Sequence, residues 1–202
     1  CRGKIEILNA FSCPKCGRRL PEAKNTCHPE AKFVLAAASS YQNKVSRALI
    51  HALKYDRMKS ALEPISEIIN KYLDKVKLEI GDFIVIPVPL YPKKEKERGF
   101  NQAALIAKVV ASSLGKILHD RVAPTVKIET DNLVRIKNTE SQTEMSNYEK
   151  REVNVAHCFK INNPENIKNK NIILVDDVFT SGATIKEAVK ILKEHGAKKI
   201  IA

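Results

Sequence analysis

Two adjacent carboxylates that directly follow an apolar run are the residues most suited to chemistry in this sequence. The run from Ile172 to Val175 leads straight into Asp176 and Asp177. A continuous run of branched and aliphatic residues is typical of a strand that is covered on both faces in a parallel sheet. Ligands of open α/β sheets bind at the carboxyl ends of the strands. We therefore expect the two acids to meet hydroxyl groups or a divalent cation.

A small, hydroxyl-bearing turn follows the acids and predicts a phosphate-binding loop. It consists of Thr180, Ser181, Gly182, Ala183 and Thr184. The glycine allows a close approach of the backbone, and the hydroxyls can cap the helix that follows. Amides at the start of a helix favour an anion, so a sugar phosphate with free hydroxyls would satisfy both the turn and the acids. The alternative is an ordinary solvated turn between a strand and a helix.

The motifs of two large classes of nucleotide-binding proteins are absent. Neither G-x-x-x-x-G-K-[ST] nor G-x-G-x-x-G occurs, which argues against a P-loop enzyme and a dinucleotide-binding domain. The stretch VDDVFTSGAT instead resembles the phosphoribosyl-diphosphate loop of the phosphoribosyltransferase family. This resemblance implies that Asp176 and Asp177 hold ribose hydroxyls and Mg²⁺, and that the residues from Thr180 to Thr184 wrap the 5′-phosphate.

Basic side chains elsewhere could stabilise a diphosphate group. Lys93, Lys94 and Arg98 follow a predicted strand that ends at Pro87, and we expect them on a cationic loop. Glutamates alternate with these lysines, so a solvated charge run explains the segment equally well. Lys54 lies at the end of a predicted helix, where it either helps to bind diphosphate or complements the helix dipole.

Cysteines near the N-terminus have a spacing that predicts a zinc knuckle. Cys13 and Cys16 form a CxxC turn, and Cys27 follows eleven residues later. Structural Zn²⁺ takes four tetrahedral ligands, and thiolates are the commonest of them. The fourth ligand is one of Cys1, His28 and Glu30. A disulfide or free thiols are the alternative.

Further motifs resemble those of a more specific family. PVPL, ERGFNQA, a KYD that includes Lys54, and EMSNYEKREVNV are similar to sequences of the ComF family of competence proteins. The resemblance implies a cysteine-rich zinc module in front of a phosphoribosyltransferase domain. The family pattern has a cysteine where Glu30 stands, and it has further CxxC pairs before the position of Cys1. We therefore expect the sequence to be part of a longer chain.

The elements that would position these residues follow from hydrophobic periodicity. We expect a strand from Phe33 to Tyr41, a helix capped by Asn43, a second helix from about Ser60 to Lys77, and a short edge strand from Val153 to Phe159. Polar residues 127–152 predict a flexible hood, in which Arg135, Lys137, Gln142 and Arg151 are candidates to meet the ligand. The fold class is α/β: a phosphoribosyltransferase-like open parallel sheet with flanking helices over residues 32–202, behind a partial zinc-knuckle module at residues 1–31.

Charge and composition limit the class of protein. The chain has 202 residues, 44% of them hydrophobic, and a formal net charge of +12. Its apolar runs are too short for a transmembrane helix, so we expect no membrane insertion. Residues 1–50 carry nine basic and three acidic groups, which suits phosphate-rich ligands or nucleic acid, although a solvated basic surface is an equally simple explanation.

Together these patterns predict a cytoplasmic protein that binds phosphoribosyl diphosphate with Mg²⁺. Since no residue that selects an acceptor can be identified, two functions stay open. One is a phosphoribosyltransferase. The other is a non-catalytic sensor or a single-stranded-DNA-binding factor that works with DNA-uptake proteins, as the resemblance to competence proteins implies. The histidines are scattered and form no catalytic motif.

Overall fold

The computed structural model describes residues 5–21, 26–76, 78, 83–118, 126–139 and 155–202. Its elements follow in the order β1 (Phe11–Ser12), β2 (Arg19–Leu20), α1 (Lys44–Lys54), a 3₁₀ turn (Lys59–Ala61), α2 (Leu62–Val76), β3 (Phe83–Pro87), α3 (Pro92–Arg98), α4 (Gln102–Leu118), β4 (Lys127–Ile128), β5 (Leu133–Arg135), β6 (Phe159–Ile161), a 3₁₀ turn (Pro164–Asn166), β7 (Asn171–Val175), α5 (Ala183–Glu194) and β8 (Lys199–Ile201). None of the described helices is both long and apolar enough to cross a lipid bilayer.

A four-stranded parallel sheet carries the fold. Its strand order is β4-β3-β7-β8, and every neighbouring pair is parallel. The central strands β3 and β7 pair along their whole lengths, from Phe83 opposite Asn171 to Pro87 opposite Val175. Both strands therefore end side by side, and the residues that follow them meet at one edge of the sheet. The predicted α/β fold with an open parallel sheet and flanking helices is confirmed.

Both faces of the sheet are covered. Consecutive residues of a strand point to opposite faces, so each central strand contributes to two cores. Val85 and Ile173 belong to a core that is completed by side chains of α1, α2 and α4. Ile84 and Ile172 belong to a second core, to which α5 and the ribbon of β5 and β6 contribute. This double coverage explains why the two central strands are apolar at almost every position.

The prediction of a regular strand from Phe33 to Tyr41 is wrong. The described segment forms only isolated bridges, with Val34 against Ile201 and Leu35 against Ser12. Neighbouring residues bond to different partners: the Val34 amide donates to Ile200, whereas the Leu35 amide donates to Ser12. The segment therefore links the sheet to the N-terminal ribbon of β1 and β2. It does not form a continuous hydrogen-bonded ladder with the sheet or with the ribbon.

Two other predicted elements need correction. The expected loop with Lys93 to Arg98 is the short helix α3, because Pro92 lies in its first turn and Gly99, with φ of 86°, ends it. The edge strand expected from Val153 begins only at Phe159 and pairs antiparallel with β5. Part of the predicted hood is thus ordered as β4 and β5, while residues 140–152 lie outside the described part of the chain.

Asn101 joins the end of β3 to the start of α4. Its side-chain Nδ2 donates to the carbonyl of Val88 at 3.0 Å, and its Oδ1 accepts from the amide of Ala103 at 2.9 Å. The residue is buried. One side chain thus caps the helix and fixes the turn after the strand, which holds two elements of the sheet edge in place.

We expect Asn101→Ala to lower the free energy of unfolding by about 2–3 kcal/mol, because a helix cap and a buried hydrogen bond are lost together. Asn101→Ser should lose less, since a hydroxyl can still cap the helix. Ser112→Ala, an exposed change on the same helix, is the control and should stay within about 0.5 kcal/mol of the unmodified protein. Urea unfolding measures all three, and a loss below about 0.5 kcal/mol for Asn101→Ala would contradict this role.

Candidate functional site

The predicted acids lie where parallel strands end. Asp176 and Asp177 directly follow β7, and the amide of Val88, after β3, donates to the carbonyl of Val175 at 2.8 Å. The pairing of the two strands thus continues to the very edge of the sheet. Both acids are only partly accessible, which places two carboxylates in surroundings that solvate charge poorly.

Lys54 is the cation that compensates this charge. Its Nζ lies 2.9 Å from Oδ2 of Asp177, whose side chain is only 5% exposed. Burial alone would raise the pKa of Asp177, but the charge of Lys54 and the hydrogen bonds that the carboxylate accepts together outweigh burial and lower the pKa. Burial would likewise lower the pKa of Lys54, but the charge and hydrogen bond of Asp177, together with the charge of Asp176, raise it instead. Both groups are therefore ionised at neutral pH.

Gln102 is a site residue that the sequence analysis missed. This first residue of α4 is buried, and its side chain donates a hydrogen bond to Asp177, which also helps to lower the pKa of that acid. The side-chain oxygen of Gln102 accepts from Nη1 of Arg98. Arg98 thus acts on the acid pair through an intermediate side chain. The available signal was a polar residue at the start of a helix whose buried face is otherwise apolar.

Asp176 differs from its neighbour because no described cation pairs with its side chain. Its Oδ1 accepts from the amide of Asp177 at 2.8 Å. Burial, together with the adjacent charge of Asp177, raises the pKa of Asp176 well above its usual range. A hydroxyl donor or a divalent cation next to this carboxylate would relieve the unfavourable charge, and carboxylate oxygens are ligands that Mg²⁺ accepts.

The hydroxyl-bearing turn lies between β7 and α5. Gly182 directly precedes α5 with φ of 75°, so it offers the helix end no side chain as a cap. A Cβ atom at this position would lie 2.6 Å from Cζ of Phe179. Only glycine fits both the backbone angle and this close ring. The turn therefore combines a helix N-terminus with closely approachable backbone, which is the arrangement that binds phosphate in many proteins.

The other predicted diphosphate ligands do not converge on the acids. Lys93 is exposed on α3, and Lys94 donates through Nζ to the carbonyl of Thr139. Of the hood candidates, Arg135 contacts the hydroxyl of Thr139, and Lys137 donates to the carbonyl of Ala156 at 3.1 Å. Gln142 and Arg151 lie outside the described residues. Of the predicted diphosphate ligands, only Lys54 and Arg98 thus lie near Asp177 in the described part of the chain.

The cysteines form a compact cluster with His28. Nδ1 of His28 lies 3.3 Å from Sγ of Cys27 and 3.5 Å from Sγ of Cys13, and the sulfurs of Cys16 and Cys27 are 3.3 Å apart. The four ligand atoms all lie within 4.8 Å of one another. Glu30 points elsewhere and pairs with Lys15. Of the candidate fourth ligands, His28 is thus grouped with the cysteines, and Cys1 lies outside the described residues.

The electrostatics of this cluster suit a cation. Burial would raise the pKa of Cys13, but backbone hydrogen bonds from Cys16 and Lys15 outweigh it and lower the pKa to about 6. The pKa of Cys27 rises to about 11, mainly through its hydrogen bond with Cys16. One thiolate forms readily, and further ionisation is opposed. A Zn²⁺ ion would allow further thiols to ionise, because its charge neutralises several thiolates at once.

Comparisons with known proteins agree with this geometry. The sequence pattern described as "Phosphoribosyl transferase domain" matches residues 101–202. Competence protein ComFC of Bacillus subtilis is 26% identical over 97% of this chain and 77% of its own length. DNA utilization protein YhgH of Salmonella typhimurium is 26% identical over 93% of this chain and 80% of its own. Competence protein F of Haemophilus influenzae is 32% identical over 57% of this chain and 46% of its own.

The family pattern covers half of the chain, including the acids and the turn after β7, and the relatives extend the similarity over most of the remainder. The chain therefore belongs to the phosphoribosyl transferase domain family and, within it, to the ComF family.

Proposed function

We propose that this protein binds phosphoribosyl diphosphate together with Mg²⁺. The observation that carries the proposal is the pair Asp176 and Asp177 at the end of β7, with the turn that begins at Thr180 three residues later. This arrangement offers carboxylates to ribose hydroxyls and a helix N-terminus to a phosphate on the same sheet edge. Membership of the phosphoribosyl transferase domain family supports the same ligand.

Each part of the site has a role in this proposal. Asp176 and Asp177 hold the ribose hydroxyls and Mg²⁺, and the residues from Thr180 to Thr184 hold the 5′-phosphate. Mg²⁺, when bound, neutralises charge on the diphosphate oxygens. Lys54 and Arg98 supply further positive charge to the diphosphate. Lys54 also keeps Asp177 ionised before the ligand arrives.

The biological setting we propose is competence-related DNA uptake in the cytoplasm. Of the three relatives compared above, two are named competence proteins and one a DNA utilization protein. The formal net charge of +12 supports contact with single-stranded DNA or with DNA-uptake proteins that carry acidic surfaces. In this setting the domain acts either as a transferase or as a ligand sensor. Release of diphosphate in the presence of an acceptor distinguishes the two.

A structural Zn²⁺ completes the proposal. Cys13, Cys16, Cys27 and His28 would hold it, since three thiolates and an imidazole form a common structural zinc site. The ion would fix the N-terminal ribbon, which already packs on the main core through the edge contact between Phe11 and Tyr72, 6.5 Å between ring centroids.

The double variant Asp176→Asn/Asp177→Asn tests the ribose and magnesium site. We expect its affinity for phosphoribosyl diphosphate with Mg²⁺ to fall at least about a hundredfold, because charge-assisted contacts of both carboxylates are lost. Titration calorimetry measures this affinity. Asp74→Asn, which changes an exposed acid of α2, is the control and should bind normally. Equal affinity in the double variant would refute the site.

Gly182→Ala tests the phosphate turn. The added Cβ meets the Phe179 ring at a backbone angle that L residues avoid, so we expect ligand affinity to fall at least about tenfold and stability to fall by about 1–2 kcal/mol. Gly115→Ala is the matched control, since nothing lies within 4 Å of a Cβ in that turn of α4. It should bind normally and gain about 0.5–1 kcal/mol. Normal binding by Gly182→Ala would rule out a tight phosphate turn.

The fourth zinc ligand is tested by comparing His28→Ala with Glu30→Ala. We expect about one Zn²⁺ per purified chain, a weaker hold on the ion in His28→Ala, and no change in Glu30→Ala. Elemental analysis and competition with a chelator provide the two measurements. The reverse ranking would assign the ligand to Glu30, and a metal-free unmodified chain would reject the zinc site altogether.

A further inference from the structure

A cavity of about 240 Å³ opens beside the acid pair. It is lined by Asp176, Asp177 and Phe179, by residues 36–39 and 41, and by apolar side chains of α1, α2 and α4. A cavity of about 150 Å³ is enough to hold benzene in other proteins, so this one has room for a planar ring system. Apart from Asp176 and Asp177, none of the residues assigned above to the phosphoribosyl diphosphate site lines this cavity.

The polar groups of the cavity are few. Among the described lining residues there is no lysine, arginine, histidine, asparagine or glutamine. The hydroxyl of Ser39 donates to that of Ser46 at 2.9 Å, and the hydroxyl of Tyr72 donates to the carbonyl of Ala10 at 3.2 Å. Much of the small polar content is thus already paired within the protein. Asp176 and Asp177 are the charged groups among the described lining residues.

This lining selects against a polar heterocycle. A purine or pyrimidine carries several ring nitrogens and exocyclic groups, and each one that stays unpaired in an apolar cavity lowers affinity. A ring of carbon atoms has no such groups. An amino group on that ring can instead donate a hydrogen bond to the carboxylate of Asp177, which lines the same cavity and which Lys54 keeps ionised.

We propose that this cavity binds the apolar ring of an aromatic amine and presents its nitrogen at the acid pair, as the acceptor of the phosphoribosyl group. The inference rests on the proposed function and names the substrate class of that same site. The three alanines and one serine at residues 36–39 have small side chains that leave room for the ring.

The transfer that follows is a displacement at C1 of the ribose. The lone pair of the amine nitrogen forms the new C–N bond while the bond from C1 to the diphosphate oxygen breaks. The electron pair of that bond leaves with diphosphate, which also takes the proton that the nitrogen loses. No oxidant, reductant or further reactant is needed.

Two probes of similar shape test the cavity on the full chain. 1-Naphthylamine and adenine both have two fused rings and one exocyclic amine, but only adenine has ring nitrogens. We expect 1-naphthylamine to bind, with a blue shift of its fluorescence in apolar surroundings, and adenine to bind at least about tenfold more weakly. When phosphoribosyl diphosphate and Mg²⁺ are present, the protein should release diphosphate on addition of 1-naphthylamine but not on addition of adenine. Tighter binding of adenine would overturn the inference.

A matched pair of variants locates the probe. Ala37 lines the cavity, so Ala37→Leu should weaken 1-naphthylamine at least about tenfold, while Ala104→Leu on α4, outside the lining, should not. Both variants should have the same unfolding temperature as the unmodified protein, and calorimetry should show that both bind phosphoribosyl diphosphate normally.

Four outcomes are separable because each ligand is measured by itself. Probe binding that is equal in both variants would place it elsewhere and refute the inference. Normal binding of phosphoribosyl diphosphate without any binding of 1-naphthylamine would refute the cavity but keep the proposed function. Probe binding without release of diphosphate would refute the acceptor role. No binding of phosphoribosyl diphosphate to the unmodified protein would refute the proposed function and, with it, that role.

Discussion

Two adjacent carboxylates at the end of a buried strand are the constraint on which the rest of this structure depends. Asp177 is almost fully buried, so its charge requires partners that the protein itself supplies. Lys54 provides the positive charge, and Gln102 provides a hydrogen bond. An uncompensated buried charge would be strongly unfavourable, so the end of α1 and the start of α4 must both lie at this edge of the sheet.

This requirement joins parts of the chain that are far apart in sequence. Lys54 and Asp177 are separated by 123 positions, and they meet only because α1 packs on the sheet with its last turn at the strand ends. Asn101 fixes the start of α4 against the turn after β3. The result is an apolar cavity whose lining includes the two acids at the edge of the sheet. A ligand with a charged sugar phosphate and an apolar acceptor would match both.

The thiol cluster follows the same physical principle at a second place. The pKa of Cys27 is raised, mainly through its hydrogen bond with Cys16, so a cation would stabilise its thiolate, just as Lys54 stabilises the charge of Asp177. Because Phe11 and Cys13 belong to the core that contains α2, the cluster is anchored to the main body of the fold. Local charge and global packing therefore depend on each other at both sites.

The sequence by itself determined the elements that local patterns encode: the apolar strand before Asp176, the glycine turn, the helix after it and the cap at Asn43. These are decided by periodicity and by residues a few positions apart. Only the tertiary structure decided that hydrogen bonds of Gln102 connect Arg98 with Asp177. It also decided that Lys93 stays at the surface and that the segment after Phe33 contacts two sheets. Such pairings depend on which distant groups packing brings together, and no local spacing contains that information.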